Sequence, residues 1–165
     1  MTVQNVDGVI NYFGPRDPIS ENINFSVHKS GEVHELVTVF SYDNLPVVTS
    51  NNYDPSLYNI PANSIILSAW IETLTPFTIA TSTPLLDIGL TQLDGTAIDA
   101  DGLFADVAVA SMNAVGERVI GAGALIGTSV VLTSYLNATV SGGTHGAGKL
   151  RLVIRYSPPD TAEGI

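Results

Sequence analysis

The chain has 165 residues, no cysteine, and a formal net charge of −10 from 16 acidic and six basic side chains. That length suits one domain with a real core. The lack of cysteine excludes disulfide staples and thiolate metal sites, and the scarcity of Lys and Arg argues against a nucleic-acid binder or attraction to an anionic membrane.

Residues 1–33 read as an N-terminal arm or a first strand. Val9, Ile10, Tyr12 and Phe13 precede the break Gly14-Pro15-Arg16-Asp17-Pro18, where both prolines fix φ, and Ile23, Phe25 and Val27 alternate after it. As an extended arm this stretch would dock on a neighbouring subunit, with Tyr12, Phe13 and Arg16 as contacts; the plainer alternative is a strand and surface loop of the same domain. The first ten residues carry neither a basic patch nor an apolar run, so no secretory signal is expected.

A β-sandwich domain is expected over 34–157, with a flexible tail over 158–165. VHELVTVF (33–40) is β-rich, and 50–61 reads as an unusually apolar loop. In SIILSAWIETL (64–74), Ile65, Leu67, Ala69 and Ile71 would share one face and Ile66, Ser68, Trp70 and Glu72 the other. Large apolar groups on both faces suit a central strand or one covered by another subunit, and Pro76 is expected to end it. Phe77–Ala80 and Leu85–Leu90 read as separate short strands. Asp99–Met112 is the best candidate for a short helix, with Asp99 or Asp101 as cap and Leu103 and Val107 on one side.

From Val119 to Gly148 no charge interrupts the chain apart from titratable His145, but repeated Gly, Ser and Thr suit short strands and turns better than a membrane span. GKLRLVIRYS (148–157) is the clearest strand: Leu150, Leu152, Ile154 and Tyr156 alternate with Lys149, Arg151, Val153 and Arg155. This pattern, repeated in short strands, indicates an all-β sandwich, jelly-roll-like, with an extended N-terminal arm and at most one short helix.

No motif identifies a reaction. Gly143–Lys149 matches most of a phosphate-cradling GxxxxGK loop, but Leu150 replaces the required hydroxyl and period-two alternation follows where a helix must begin. A glycine-rich hairpin fits better. Asp94, Asp99, Asp101 and Asp106 lack the spacing and closing Glu of a helix–loop–helix calcium site; they read as a solvated turn and helix cap, with an irregular loop ion site as the alternative. His28, His34 and His145 lack zinc spacing. We therefore expect no catalytic residue, metal or cofactor. Lys149, Arg151 and Arg155 hold half the cations on one strand face. They either pair with acids on adjacent strands or form a docking stripe for an acidic surface, such as another copy of this chain. With Trp70 they complete the candidate contact set.

In IPANSIIL (60–67), LDIGL (86–90) through DADGL (99–103), and AGKLRLVIRY (147–156), the chain resembles capsid decoration (cement) and head-fibre-type proteins of tailed bacteriophages. The resemblance implies a non-enzymatic structural virion protein made in the host cytoplasm and bound to the outside of the head. Its partners would be the major capsid protein and further copies of itself, as a homo-oligomer such as a trimer, with no nucleic acid or membrane. The competing reading is a tail-fibre or host-glycan-recognition module, with Tyr53, Tyr58 and Trp70 lining a groove.

Overall fold

The computed structural model describes residues 2–6, 9–13, 26–30, 33–42 and 59–159. Among the described residues nine strands follow one another: β1 (Thr2–Val6), β2 (Val9–Phe13), β3 (Ser26–Ser30), β4 (Val33–Ser41), β5 (Ser64–Thr91), β6 (Ala97–Ala108), β7 (Arg118–Ile120), β8 (Ser129–Val130) and β9 (Tyr135–Ser157). β1 and β2 pair as a two-stranded sheet of their own. The others form one antiparallel sheet in the order β3-β4-β9-β5-β6, with β7 and β8 also paired to β5.

The frame is the ribbon made by β5, 28 residues long, and β9, 23 residues long. Drawn straight, β5 would span roughly 90 Å at ~3.3 Å per residue, far more than a domain of this size can hold. It bends instead. Register shifts interrupt its pairing with β9 between Ile66 and Ser68 and repeatedly from Thr73 to Leu85, and extra residues on one strand bend a sheet. The first half of β5 pairs with β7, β8 and the end of β9, and the second half with β6 and the start of β9.

The two halves close over one core as a β-sandwich. Leu36, Ile66, Ile71, Leu150, Leu152 and Ile154 join Leu86, Ile88, Leu90, Leu103 and Phe104 in a single buried cluster. The segment 121–128 stitches the layers together along one edge. Gly121 N–H donates to Ala69 O (2.8 Å) and Gly127 N–H to Ile66 O (2.7 Å), both on β5. Between them Gly123 N–H donates to Leu103 O (3.1 Å) and Leu125 N–H to Gly102 O (2.8 Å), both on β6. The uncharged stretch after Val119 is thus a strap, two short strands and the start of β9.

Three local expectations are corrected. Asp99–Met112 is not a helix: Ala97–Ala108 is strand β6, and only Val109–Met112 makes a 3-10 turn. Pairing with β5 satisfies the backbone, and Asp and Gly are weak helix formers that offer little resistance to it. Pro76 does not end β5, because it falls in the register shift between Thr75 and Thr78, where the ladder needs no N–H from it. Phe77–Ala80 and Leu85–Leu90 therefore belong to the same strand. Gly143–Lys149 is not a hairpin but the middle of β9, paired with β5.

The phase of β5 also differs from strict alternation. Ile66 is buried and Ile65 and Leu67 are exposed, after which Ala69, Ile71 and Thr73 are buried. The irregularity between Ile66 and Ser68 switches the inward side from even to odd positions, since one extra residue reverses a period of two.

Candidate interaction surface

The inward row of β9 behaves as its alternation requires: Leu150, Leu152 and Ile154 are fully buried and Tyr156 nearly so. Its outward row meets acids on both neighbouring strands. Arg155 lies opposite Glu35 of β4, with Nε 3.2 Å from Oε1. Arg151 lies opposite Glu72 of β5, with Nη1 3.4 Å from Oε2. On its other side Glu72 faces Arg118 of β7, with Nη2 3.5 Å from Oε1. The Arg155 guanidinium also lies 5.4 Å from the ring centre of Trp70. Exposed pairs of this kind contribute about 0–1 kcal/mol each, so they orient side chains more than they hold the fold.

Trp70, Lys149, Arg151 and Arg155 therefore share one outer face. Tyr12 and Phe13 lie on β2, in the separate two-stranded sheet, and Arg16 lies outside the described residues, as do Tyr53, Tyr58 and the tail beyond 159. The sequence marks 64–74 as a strand with large apolar groups on both faces, suited to cover by another subunit, but it does not show which of them stay outside or that Ile120 and Val131 join them. Ile65 (43% exposed), Leu67 (44%), Ile120 (68%) and Val131 (72%) lie on or beside the first half of β5, and Ile120 is directly opposite Trp70. Only the β5 irregularity leaves Ile65 and Leu67 outside. Arg118, one of just six cations, was the available signal for β7.

Among the described residues no group of three or more His, Asp or Glu side chains is placed to hold a metal. Asp94 accepts the Thr96 N–H at 2.9 Å, which holds its carboxyl below the usual carboxylate range. Asp106 sits at φ 51° in a bulge where Asp87 Oδ1 accepts its N–H at 2.7 Å. His34 packs edge-on to Tyr156, ring centres 5.4 Å apart. No helix among the described residues is long and apolar enough to cross a membrane.

Partial burial, then the hydrogen bond to Asp101, push the pKa of Asp99 above the ordinary 3.8. It binds a proton more readily folded than unfolded. Its stabilising contribution is full below pH 3.8 and is lost as pH rises through the raised value. Asp94 works in the opposite direction, but from a fully exposed position. Asp99→Asn is expected to exceed the native chain in denaturant midpoint at neutral pH and to match it at acidic pH. An equal gain at both would disprove the linkage.

No family model and no curated protein sequence matches the chain. Three solved structures share its fold. A chain of the cyanophage Pam1 capsid asymmetric unit is 16% identical, with a TM-score of 0.53 over 96% of this chain and 100% of that one. A chain of the acid-stable capsid of Helicobacter pylori bacteriophage KHP30 is 17% identical, with a TM-score of 0.53 over 84% and 94%. A chain of the capsid of Ralstonia phage GP4 is 17% identical, with a TM-score of 0.50 over 81% and 88%. The likeness is one of fold, and in each case it spans nearly all of the other chain.

Proposed function

We propose that this protein is a non-enzymatic structural component of a phage particle, bound to the outer surface of the head as a homo-oligomer, a trimer in the simplest case. The observation that carries the reading is that chains in three phage capsid structures share the fold over at least 81% of this chain. The outer face supports it. Exposed Ile65, Leu67 and Ile120 beside Trp70, rimmed by arginines, resemble the apolar centre and charged rim of a protein interface. The mechanism is static: contacts across subunit junctions raise the cost of separating major capsid subunits, and nothing turns over. Tyr12, Phe13 and Arg16 are the contacts assigned to the N-terminal arm, and Trp70, Lys149, Arg151 and Arg155 those of the sheet face.

The test adds purified protein to heads that lack it. Saturable occupancy of symmetry-related sites, with a higher head-disruption temperature, is the expected result. Absence of binding, with recovery on tails or a hit on a glycan array, would transfer the role to the competing reading.

A further inference from the structure

Two surfaces of this chain are complementary in shape-giving chemistry and in charge. The first is the stripe along β5 formed by Leu67, Trp70 and the facing Ile120. Around it, among the described side chains of β4, β5, β7 and β9, four cations (Arg118, Lys149, Arg151, Arg155) against two carboxylates (Glu35, Glu72) leave +2, in a chain whose total is −10. The second is the turn between β5 and β6. Gln92 N–H donates to Thr96 O (2.8 Å) and Gly95 N–H to Gln92 O (3.0 Å), while Asp94 caps Thr96 N–H (2.9 Å). This bonding holds Leu93 at the tip, 56% exposed, with Asp94 beside it and Asp99 and Asp101 at the start of β6. One surface is an apolar stripe in a basic rim, and the other an apolar knob in an acidic rim.

We propose that the Leu93 turn of one copy docks on the Leu67–Trp70–Ile120 stripe of the next, with its carboxylates meeting Arg118 and Arg151. Because knob and stripe are different surfaces, the contact is head-to-tail and closes into a ring when the rotation allows. This deepens the homo-oligomer proposed above by naming the surfaces that meet. A basic face in an otherwise acidic chain favours a second copy as occupant, since each copy carries both halves of the charge pattern.

The experiment measures mass in solution by light scattering and native mass spectrometry, without heads. The native chain is expected as a closed oligomer. Leu93→Asp and the double variant Arg118→Glu/Ile120→Asp, all at exposed positions, are each expected to dissociate at least tenfold more readily. Mixed in equal amounts they should form a one-to-one dimer and stop, because only one intact knob and one intact stripe remain. Asp94→Asn, which removes charge but can still accept the turn bond, should weaken assembly several-fold and flatten its salt dependence, a readout that stands even if Leu93→Asp misfolds. Variants that keep the native mass, or a mixture that stays monomeric, would overturn the head-to-tail contact while leaving the oligomer intact. A native chain that is monomeric at high concentration yet binds heads would overturn both oligomer and contact and make the shell the occupant of the stripe.

Discussion

Gly89→Ala is expected to cost the protein roughly 3 kcal/mol or more, at the upper end of overpacking effects. Gly89 lies on β5 between fully buried Ile88 and Leu90. Opposite it, β6 makes an excursion: Leu90 pairs with Asp99, but Ile88 pairs with Phe104, so β6 carries three more residues across this step than β5. The Asp99–Ala100 backbone crosses directly over the glycine. A Cβ there would lie 2.0 Å from the Asp99 carbonyl oxygen and 2.4 Å from the Ala100 carbonyl carbon. These are backbone atoms and cannot swing aside, so the methyl can fit only if β6 moves away, taking Leu103 and Phe104 with it. For a chain of this size the loss corresponds to a fall in melting temperature of roughly 6–12 °C. Gly146→Ala is the control, since its nearest neighbour would be the Thr78 hydroxyl at 3.3 Å. Similar midpoints for the two variants in thermal denaturation would refute the crossing.

Gly148→Ala should be nearly as severe, and for a different reason. Pro76 and Phe77 lie in an irregularity of β5 opposite Gly148, with Thr75 paired to Lys149 and Thr78 to Ala147. The Phe77 ring lies flat against the glycine: a Cβ would be 2.3–2.6 Å from three ring carbons. Gly148 also holds φ at +138°, a conformation side-chain-bearing residues rarely adopt. Expelling the ring, which is only 5% exposed, and straining the backbone together cost about 2–4 kcal/mol. Phe77→Ala alone should cost about 3–5 kcal/mol. The double variant should lose clearly less than the two losses combined, because without the ring the added methyl has nothing to strike. Strict additivity in chemical denaturation would show that ring and glycine do not meet. The glycine in the GxxxxGK-like stretch is accordingly explained by an aromatic ring on the adjacent strand, and no phosphate is needed to account for it.

The outer-face charges read from the sequence were real but incomplete. Lys149, Arg151 and Arg155 fall on one face because β9 alternates without interruption there, and period two suffices to place them. Their acids could not be named, since Glu35 and Glu72 lie 120 and 79 residues from Arg155 and Arg151, and only register brings them opposite. Strict alternation puts Ile65 and Leu67 on the same side as Ala69 and Ile71. The irregularity after Ile66 separates them, and it is the reason an apolar stripe faces outward.

Few charges, abundant aliphatics and period-two stretches were enough to determine an all-β chain with β9 as its clearest strand, because alternation is a local property of the backbone. Whether Asp99–Ala108 would be helix or strand, whether Pro76 would end or bend β5, and which glycines admit no methyl were decided only by tertiary structure. Each depends on what a distant strand places opposite: a ladder to complete, a bulge to absorb the missing N–H, a peptide or a ring passing within contact distance. No window of sequence contains that neighbour.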